Sequence, residues 1–221
     1  MILRHDVDRI PANALSMAKL EHRLGIKSTY YVRTVPSVFS PHLVRELHQL
    51  GHEVGYQYEV LSKCRGDTKK ALELFANELG QLRQLAPVTT ASAHGSPLSG
   101  WNNLGIWENT EPTDFGLAGE AYLQIDYSKV GYYTDTGRRW DAIRTNLRDR
   151  VESHGETFPT VRTTDELIAL VESRGFPLLC IQTHPERWNA TVLGFVRSAL
   201  LDRAANTVKN VIRLVRARDA G

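Results

Sequence analysis

Two hydrophobic periodicities alternate along the first 94 residues of the chain. Short runs rich in β-branched and aromatic residues, at 1–8, 26–33, 52–58 and 89–94, predict strands. Between them, at 11–24, 41–50 and 67–85, apolar residues recur every three or four positions, which predicts helices. The order β-α-β-α-β-α-β, with helices long enough for crossovers, predicts a parallel sheet that is either open or closed into a barrel.

The pattern in the second half is less regular. A short helix is predicted at 101–108 and strands at 115–124 and 129–134, followed by a polar loop or insertion at 144–159. Thr163 to Glu166 form a capping signature for a further helix, and 177–183 is a buried-strand run. From about 190 to 216 the apolar positions fit one long helix, which we expect to pack on its own domain rather than on a membrane surface. Because no repeat or domain boundary is evident, residues 1–221 are predicted to form a single domain.

The ends of the predicted strands carry the residues that can do chemistry. In a parallel sheet or barrel, functional groups collect at the carboxyl ends of the strands. Asp6 and Asp8 lie two positions apart at the end of the first strand and therefore share a face; the alternative is that Asp8 caps the helix starting near Pro11. His94 and His184 end two later strands. Together these oxygen and imidazole groups suit a divalent metal such as zinc.

Composition narrows the class of protein. With 42% hydrophobic and 24% charged residues, the 221-residue chain has the make-up of a soluble globular protein. Its net charge of +2 is too near zero to indicate either a nucleic acid or an anionic membrane as a partner, and we expect no nucleic-acid partner. Two cysteines make no disulfide framework and favour a reducing compartment. No apolar run approaches the roughly 18 residues of a membrane span, and Met1 leads directly into the first strand, so we expect a cytoplasmic protein without a membrane span. The sequence leaves the oligomeric state open.

Three motifs together resemble those of the polysaccharide deacetylases, the carbohydrate esterases that act on N- or O-acetylated sugars. They are Arg-His-Asp-Val-Asp at 4–8, Gly-His-Glu-Val-Gly at 51–55 and Thr-His-Pro at 183–185. The resemblance implies a distorted (β/α) barrel of about seven strands and a metal-dependent hydrolase that removes an acetyl group from an amino sugar or polysaccharide. It also implies roles for three residues: Asp6 as general base, Asp8 as metal ligand and His184 as the acid that protonates the leaving group.

The sequence differs from that family at two of the positions that bind the metal. After the glycine-rich motif the family supplies two metal-binding histidines four residues apart, and here Gln57 and Leu61 stand at those positions. Leucine cannot coordinate a metal, and glutamine offers only a neutral carbonyl oxygen. We expect His94 to replace one lost ligand, which gives a predicted zinc site of Asp8, His94 and Gln57. The second hypothesis is a non-catalytic carbohydrate-binding or regulatory protein on the same scaffold. A glycoside hydrolase is disfavoured because Asp6 and Asp8 share one strand and cannot flank a glycosidic bond.

The late polar loops supply candidate contacts to a carbohydrate or other small acylated substrate. Their arginines can hold an anionic group or pair with Asp126 and Asp135, and their tryptophans can stack on sugar rings or pack in the core. Elsewhere we expect Glu59 to pair with Arg4 rather than to act as a surrogate metal ligand. We expect His52, Tyr56 and Tyr58 to be structural by strand alternation. The predicted substrate contacts are Asp135, Arg138, Arg139, Trp140, Arg187 and Trp188.

Overall fold

A computed structural model describes residues 1–140, 158–176, 178–203 and 207 of the chain. Seven strands form one sheet in the order β5-β4-β3-β2-β1-β7-β6, and every neighbouring pair is parallel. The sheet curls into a half-barrel, which confirms the predicted (β/α) barrel class. The strands are β1 (Ile2–Val7), β2 (Thr29–Arg33), β3 (Glu53–Tyr58), β4 (Thr90–Ala93), β5 (Gly119–Glu120), β6 (Gly131–Thr134) and β7 (Leu179–Thr183).

Local capping explains several boundaries of the α-helices. These helices include α1 (Pro11–Arg23), α2 (Pro41–Gln49), α3 (Val60–Lys63), α4 (Thr68–Arg83) and α5 (Thr164–Ser173). Ser40 caps α2 and Asp67 caps α4 through their side-chain oxygens. The predicted capping box is present at α5, where Thr163 and Glu166 bond each other's backbone N–H groups. A further helix occupies 192–203, so the first part of the predicted 190–216 helix is confirmed, and 204–206 and 208–216 lie outside the described residues.

The main hydrophobic core lies between the sheet and helices α1 to α4. Tyr56 and Tyr58 of β3 point into it and pack against Phe75 of α4, as strand alternation predicts. His52 is also structural, because its ring bonds the Ala18 carbonyl oxygen and the Ser28 hydroxyl at 3.0 and 3.1 Å. These residues therefore stay behind the sheet and leave the opposite face of β3 for Gln57.

The segment between β4 and β6 differs most from its prediction. The 101–108 helix is a 3-10 helix at Asn103–Trp107, and the 115–124 strand is reduced to the two residues of β5. Before β5, Glu111 and Asp114 form a capping box at a second 3-10 helix, Pro112–Phe115. After β5, the Glu120 carboxylate accepts hydrogen bonds from the backbone N–H groups of Tyr122 and Leu123, which turns the chain away from the sheet. Most of the polar loop predicted at 144–159 lies outside the described residues. In the part of the chain that the structure describes, no helix is long and apolar enough to cross a membrane.

Candidate active site

One polar cleft opens at the carboxyl ends of the strands, with a volume of about 50 Å³. It forms there because the sheet is parallel and its curl brings the ends of β1, β3, β4, β6 and β7 together. Five of the residues predicted from the sequence to be catalytic or metal-binding line it. The lining is Asp6, Asp8, Gln57, His94, Gly95, Pro97, Thr136, His184 and Arg187.

Asp6 is held at the floor of this cleft by two charged and polar partners. Arg4 donates from Nη2 to both carboxylate oxygens at 2.9 Å, and Gln182 donates from Nε2 at 2.6 Å. Burial raises the pKa of Asp6, although the charge of Arg4 opposes that rise. The expected pairing of Arg4 with Glu59 is wrong. Arg4 and Asp6 are two positions apart on β1 and therefore share a face, so this ion pair could have been predicted from the sequence.

Asp8 points into the cleft and not toward α1, whose N-cap residue is Ile10, so the capping alternative is wrong. Its Oδ1 accepts a hydrogen bond from Gln57 Nε2 at 2.9 Å and lies 3.6 Å from His94 Nε2. Its Oδ2 lies 3.9 Å from His184 Nε2. Burial disfavours the charged form, but these histidines with two nearby arginines lower the pKa of Asp8 to about 2.

His94 is oriented by a carboxylate that the sequence assigned elsewhere. Glu59 lies 3.0 Å from His94 Nδ1, which leaves Nε2 facing Asp8. Arg33 holds Glu59 through Nη2 at 2.8 Å to each oxygen and also donates to the backbone carbonyl of Asp8. Burial opposes ionisation, yet His94 and Arg33 lower the pKa of Glu59 to about 2. A carboxylate behind a histidine fixes its tautomer and ring orientation, as it does for metal-binding histidines.

On the other side of the cleft, Asp135 organises His184. Asp135 Oδ1 lies 2.6 Å from both His184 Nδ1 and Arg187 Nη1. Asp135 Oδ2 accepts from the His184 backbone N–H at 3.1 Å and from Trp188 Nε1 at 2.9 Å. Burial and Arg187 disfavour the imidazolium, but Asp135 and Asp8 outweigh them and raise the pKa of His184 to about 9. His184 therefore carries a proton at neutral pH, with Nε2 directed at Asp8.

The other predicted substrate contacts lie at varied distances from the cleft. Arg138 bonds Asp202 at 2.8 Å and Ser198 at 2.6 Å on the 192–203 helix, and not the predicted Asp126 or Asp135. Trp140 is buried in a second core cluster, where its indole donates to Thr164 at 3.1 Å. Arg139 is exposed. Neither Arg138 nor Trp140 lines the described cleft, whereas Arg187 does and Trp188 stands beside it, bonded to Asp135.

No protein-family model and no curated protein matches the sequence. Solved structures do match. A family 4 carbohydrate esterase from Streptomyces lividans, in complex with acetate, superposes with a TM-score of 0.50 at 13% sequence identity, and the match covers 93% of this chain and 88% of that one. The chain has the fold of the family 4 carbohydrate esterases. Peptidoglycan deacetylase PdaC from Bacillus subtilis gives a TM-score of 0.49 at 12% identity, over 99% of this chain and 92% of that one. A family 4 pseudoenzyme from Bacillus anthracis gives 0.46 at 11% identity, over 94% and 60%.

The esterase-like fold raises the question of whether the cleft suits the metal that the sequence resemblance implies. Among the described residues, no three His, Cys, Asp or Glu side chains are grouped as a metal site requires, so a third ligand must come from Gln57. The Oε1 atom of Gln57 is buried without a hydrogen-bond partner among the described groups, while Nε2 of the same amide donates to Asp8 Oδ1. Carboxylate, imidazole and amide oxygen are all donors that a divalent ion accepts, and three protein ligands leave a position open for substrate. The donor set therefore fits a divalent ion once the Gln57 amide turns its oxygen toward Asp8, and Gln57 is its weakest member.

Proposed function

We propose that the chain is a metal-dependent hydrolase that removes an acyl group, such as acetyl, from an amino sugar or polysaccharide. The single observation that carries the proposal is the placement of His184, fixed by Asp135, across one cleft from Asp6 and Asp8. Amide hydrolysis needs a base for the attacking water and an acid for the leaving nitrogen, and this cleft supplies both. The esterase-like scaffold supports a carbohydrate as the substrate.

Asp6 and His184, on opposite sides of the cleft, would carry out the two proton transfers of the reaction. Asp6 is the base: its raised pKa makes the carboxylate a better proton acceptor, and Arg4 with Gln182 fixes its orientation. His184 is the acid: Asp135 holds Nδ1, and Nε2 gives its proton to the leaving nitrogen or oxygen. Arg187, which contacts Asp135 and lines the cleft, orients the substrate. A divalent ion such as zinc, held by Asp8, His94 and Gln57, would polarise the acyl carbonyl and lower the pKa of the attacking water.

A second candidate is a carbohydrate-binding or regulatory protein on the same scaffold. The observation that favours it is the 2.9 Å hydrogen bond from Gln57 Nε2 to Asp8 Oδ1. In that arrangement an N–H, and not an oxygen, faces Asp8, and the charge of Asp8 is balanced by His94, His184 and two arginines. The amide must turn over before Oε1 can serve a cation.

The test is acetate release from an N-acetylated chito-oligosaccharide and from an aryl acetate, with the protein loaded with zinc. We expect release by the wild type and a fall in kcat of roughly 10²-fold in both Asp6→Asn and His184→Gln, the usual size of a general acid or base contribution. Lys129→Ala, at an exposed residue paired with Asp126, is the matched control and keeps full activity.

Two results would contradict the hydrolase. Undiminished release in an Asp6→Asn/His184→Gln double variant would mean that this cleft is not the catalytic centre. No release by the zinc-loaded wild type, together with oligosaccharide binding that Arg187→Gln abolishes in calorimetry, would establish the binding protein in its place.

A further inference from the structure

The 192–203 helix carries an apolar stripe on its outward side. Val192 is 82% exposed, Leu193 81% and Leu200 64%, and Val196 between them is also exposed. At 3.6 residues per turn these four side chains fall on one face of the helix. We call Val192, Leu193, Val196 and Leu200 the outer stripe. A continuous exposed apolar stripe of this kind marks an interaction surface.

The opposite face of the same helix is fixed to the protein. Asp202 is buried, where it bonds Arg9 at 2.7 Å and Arg138 at 2.8 Å. Ser198, one turn earlier, donates to the Glu186 carbonyl oxygen at 2.7 Å. Because buried polar contacts hold Ser198 and Asp202 inward, the helix cannot rotate to bury the outer stripe against its own body. The expectation that this helix packs on its own domain is thus met by its inner face only.

Two cations flank the outer stripe. By helical periodicity Arg197 lies beside the stripe, and Arg203, seven residues after Val196, lies at its carboxyl-terminal end; both are exposed without an ion-pair partner among the described residues. The basic residues of the sequence are also concentrated in its last 32 positions, which include this helix. Residues 190–221 hold six basic and two acidic side chains, a net +4, whereas the complete chain has +2, so residues 1–189 carry −2.

We propose that the outer stripe docks on an anionic lipid surface. Apolar side chains enter the boundary between headgroups and acyl chains, and arginines at the stripe's edges reach the lipid phosphates with their long stems. A second copy of the chain is a poorer occupant, because packing two stripes face to face brings arginines of like charge together. The proposal is independent of acyl hydrolysis, since none of its residues lines the cleft.

Sedimentation with lipid vesicles tests the proposal on the full chain. We expect binding to vesicles of phosphatidylcholine with one-fifth phosphatidylglycerol and much weaker binding to pure phosphatidylcholine. Arg197→Gln and Arg203→Gln should each weaken partitioning about fivefold, the factor that follows from roughly 1 kcal/mol per basic residue at an anionic surface. Leu193→Ser/Leu200→Ser should abolish it. Leu98→Ser/Leu123→Ser, which removes two exposed leucines elsewhere, is the matched control and should bind like the wild type.

Two outcomes would overturn the proposal. One is failure of the wild type to bind anionic vesicles. The other is a dimer in light scattering that Leu193→Ser/Leu200→Ser converts to a monomer, which would assign the stripe to a second copy. Circular dichroism of each variant verifies that the helix content is unchanged, so that a loss of binding is not a loss of fold.

Discussion

His184 Nδ1 lies 2.6 Å from Asp135 Oδ1, although the two residues are 49 positions apart in the chain. The contact exists because β6 and β7 are neighbours in the sheet and both residues follow the ends of their strands. Burial and Arg187 favour the neutral imidazole, so the pKa of His184 is raised mainly by the charge and hydrogen bond of Asp135, with a further contribution from Asp8. The acid in the proposed reaction therefore depends on a residue that the sequence assigned to substrate binding.

Replacing Asp135 by asparagine should lower the pKa of His184 from about 9 toward its ordinary value of 6.5, because Asp8 alone then opposes burial and Arg187. The shift can be measured from the imidazole signals in NMR spectra recorded across pH, with the protein kept metal-free by a chelator. Asp126→Asn, at an exposed residue, is the control and should leave His184 unchanged. An Asp135→Asn protein whose His184 still titrates near pH 9 would show that another group holds the proton.

The free energy of unfolding of the metal-free protein should be greatest near pH 4.5 and fall on both sides. On the acid side, Asp8 and Glu59 have pKa values lowered to about 2 from 3.8 and 4.5, so their stabilisation is present above pH 4.5 and is lost as pH falls toward 2. On the alkaline side, the pKa of His184 is raised from 6.5 to about 9, so its stabilisation is present below pH 6.5 and is lost as pH rises to 9. Burial raises the pKa values of Glu120 and Glu186 from 4.5 to about 7, which adds a decline between those values.

Urea unfolding at half-unit pH intervals measures this profile. The alkaline limb can be assigned by His184→Gln, which should remove the decline between pH 6.5 and 9 and keep the decline below pH 4.5. A wild-type profile that rises between pH 6.5 and 9 would contradict the charged state inferred for His184.

Restoring a histidine at position 57 should strengthen metal binding. Gln57 approaches Asp8 within 2.9 Å and lies in the same cleft as His94, so an imidazole there completes an Asp-His-His ligand set. We expect Gln57→His to bind zinc at least about tenfold more tightly than the wild type in calorimetry. Mutation of residues that only hydrogen-bond the metal ligands already changes metal affinity by roughly that factor. Gln84→His, at an exposed position after α4, is the matched control.

Leu61 offers no second route to a ligand, because it is buried in the main core and its side chain lies against Gly105. If Gln57→His and Gln84→His bind zinc with the same affinity as the wild type, position 57 does not face the ion. Asp8→Ala should eliminate binding in every background.

Two glycine-to-alanine changes should have opposite effects on stability. A Cβ atom at Gly55 would stand 2.4 Å from the ring of Tyr31, which packs across β3 over that glycine. We expect Gly55→Ala to destabilise the fold by about 1–3 kcal/mol, the usual cost of overpacking. A Cβ atom at Gly80, inside α4, would meet no atom from outside its own helix within 4 Å, so Gly80→Ala should stabilise by about 0.5–1 kcal/mol. Thermal unfolding of the pair checks both signs, and equal effects would contradict the packing at Gly55.

The sequence alone determined the elements and the edge of the sheet where the candidate site lies. Hydrophobic periodicity is a local property, so it located β1 to β4 and the helices between them. Functional groups gather at the carboxyl ends of parallel strands, and this rule correctly predicted that Asp6, Asp8, His94 and His184 share one cleft. Alternation along β3 also separated Gln57 from Tyr56 and Tyr58, because successive side chains on a strand face opposite sides.

The tertiary structure decided the partners. Local periodicity does not reveal that β7 lies between β1 and β6, and this order alone joins Asp135 to His184 and Gln182 to Asp6. The packing of the 192–203 helix likewise brings Asp202, 64 residues later, into contact with Arg138, which does not pair with the aspartates near it in sequence. At the opening motif, spacing placed Asp6 and Asp8 on one face, but their charge states follow from burial and from the cations around them. Those neighbours come from distant strands, so their identities follow from the path of the chain in space.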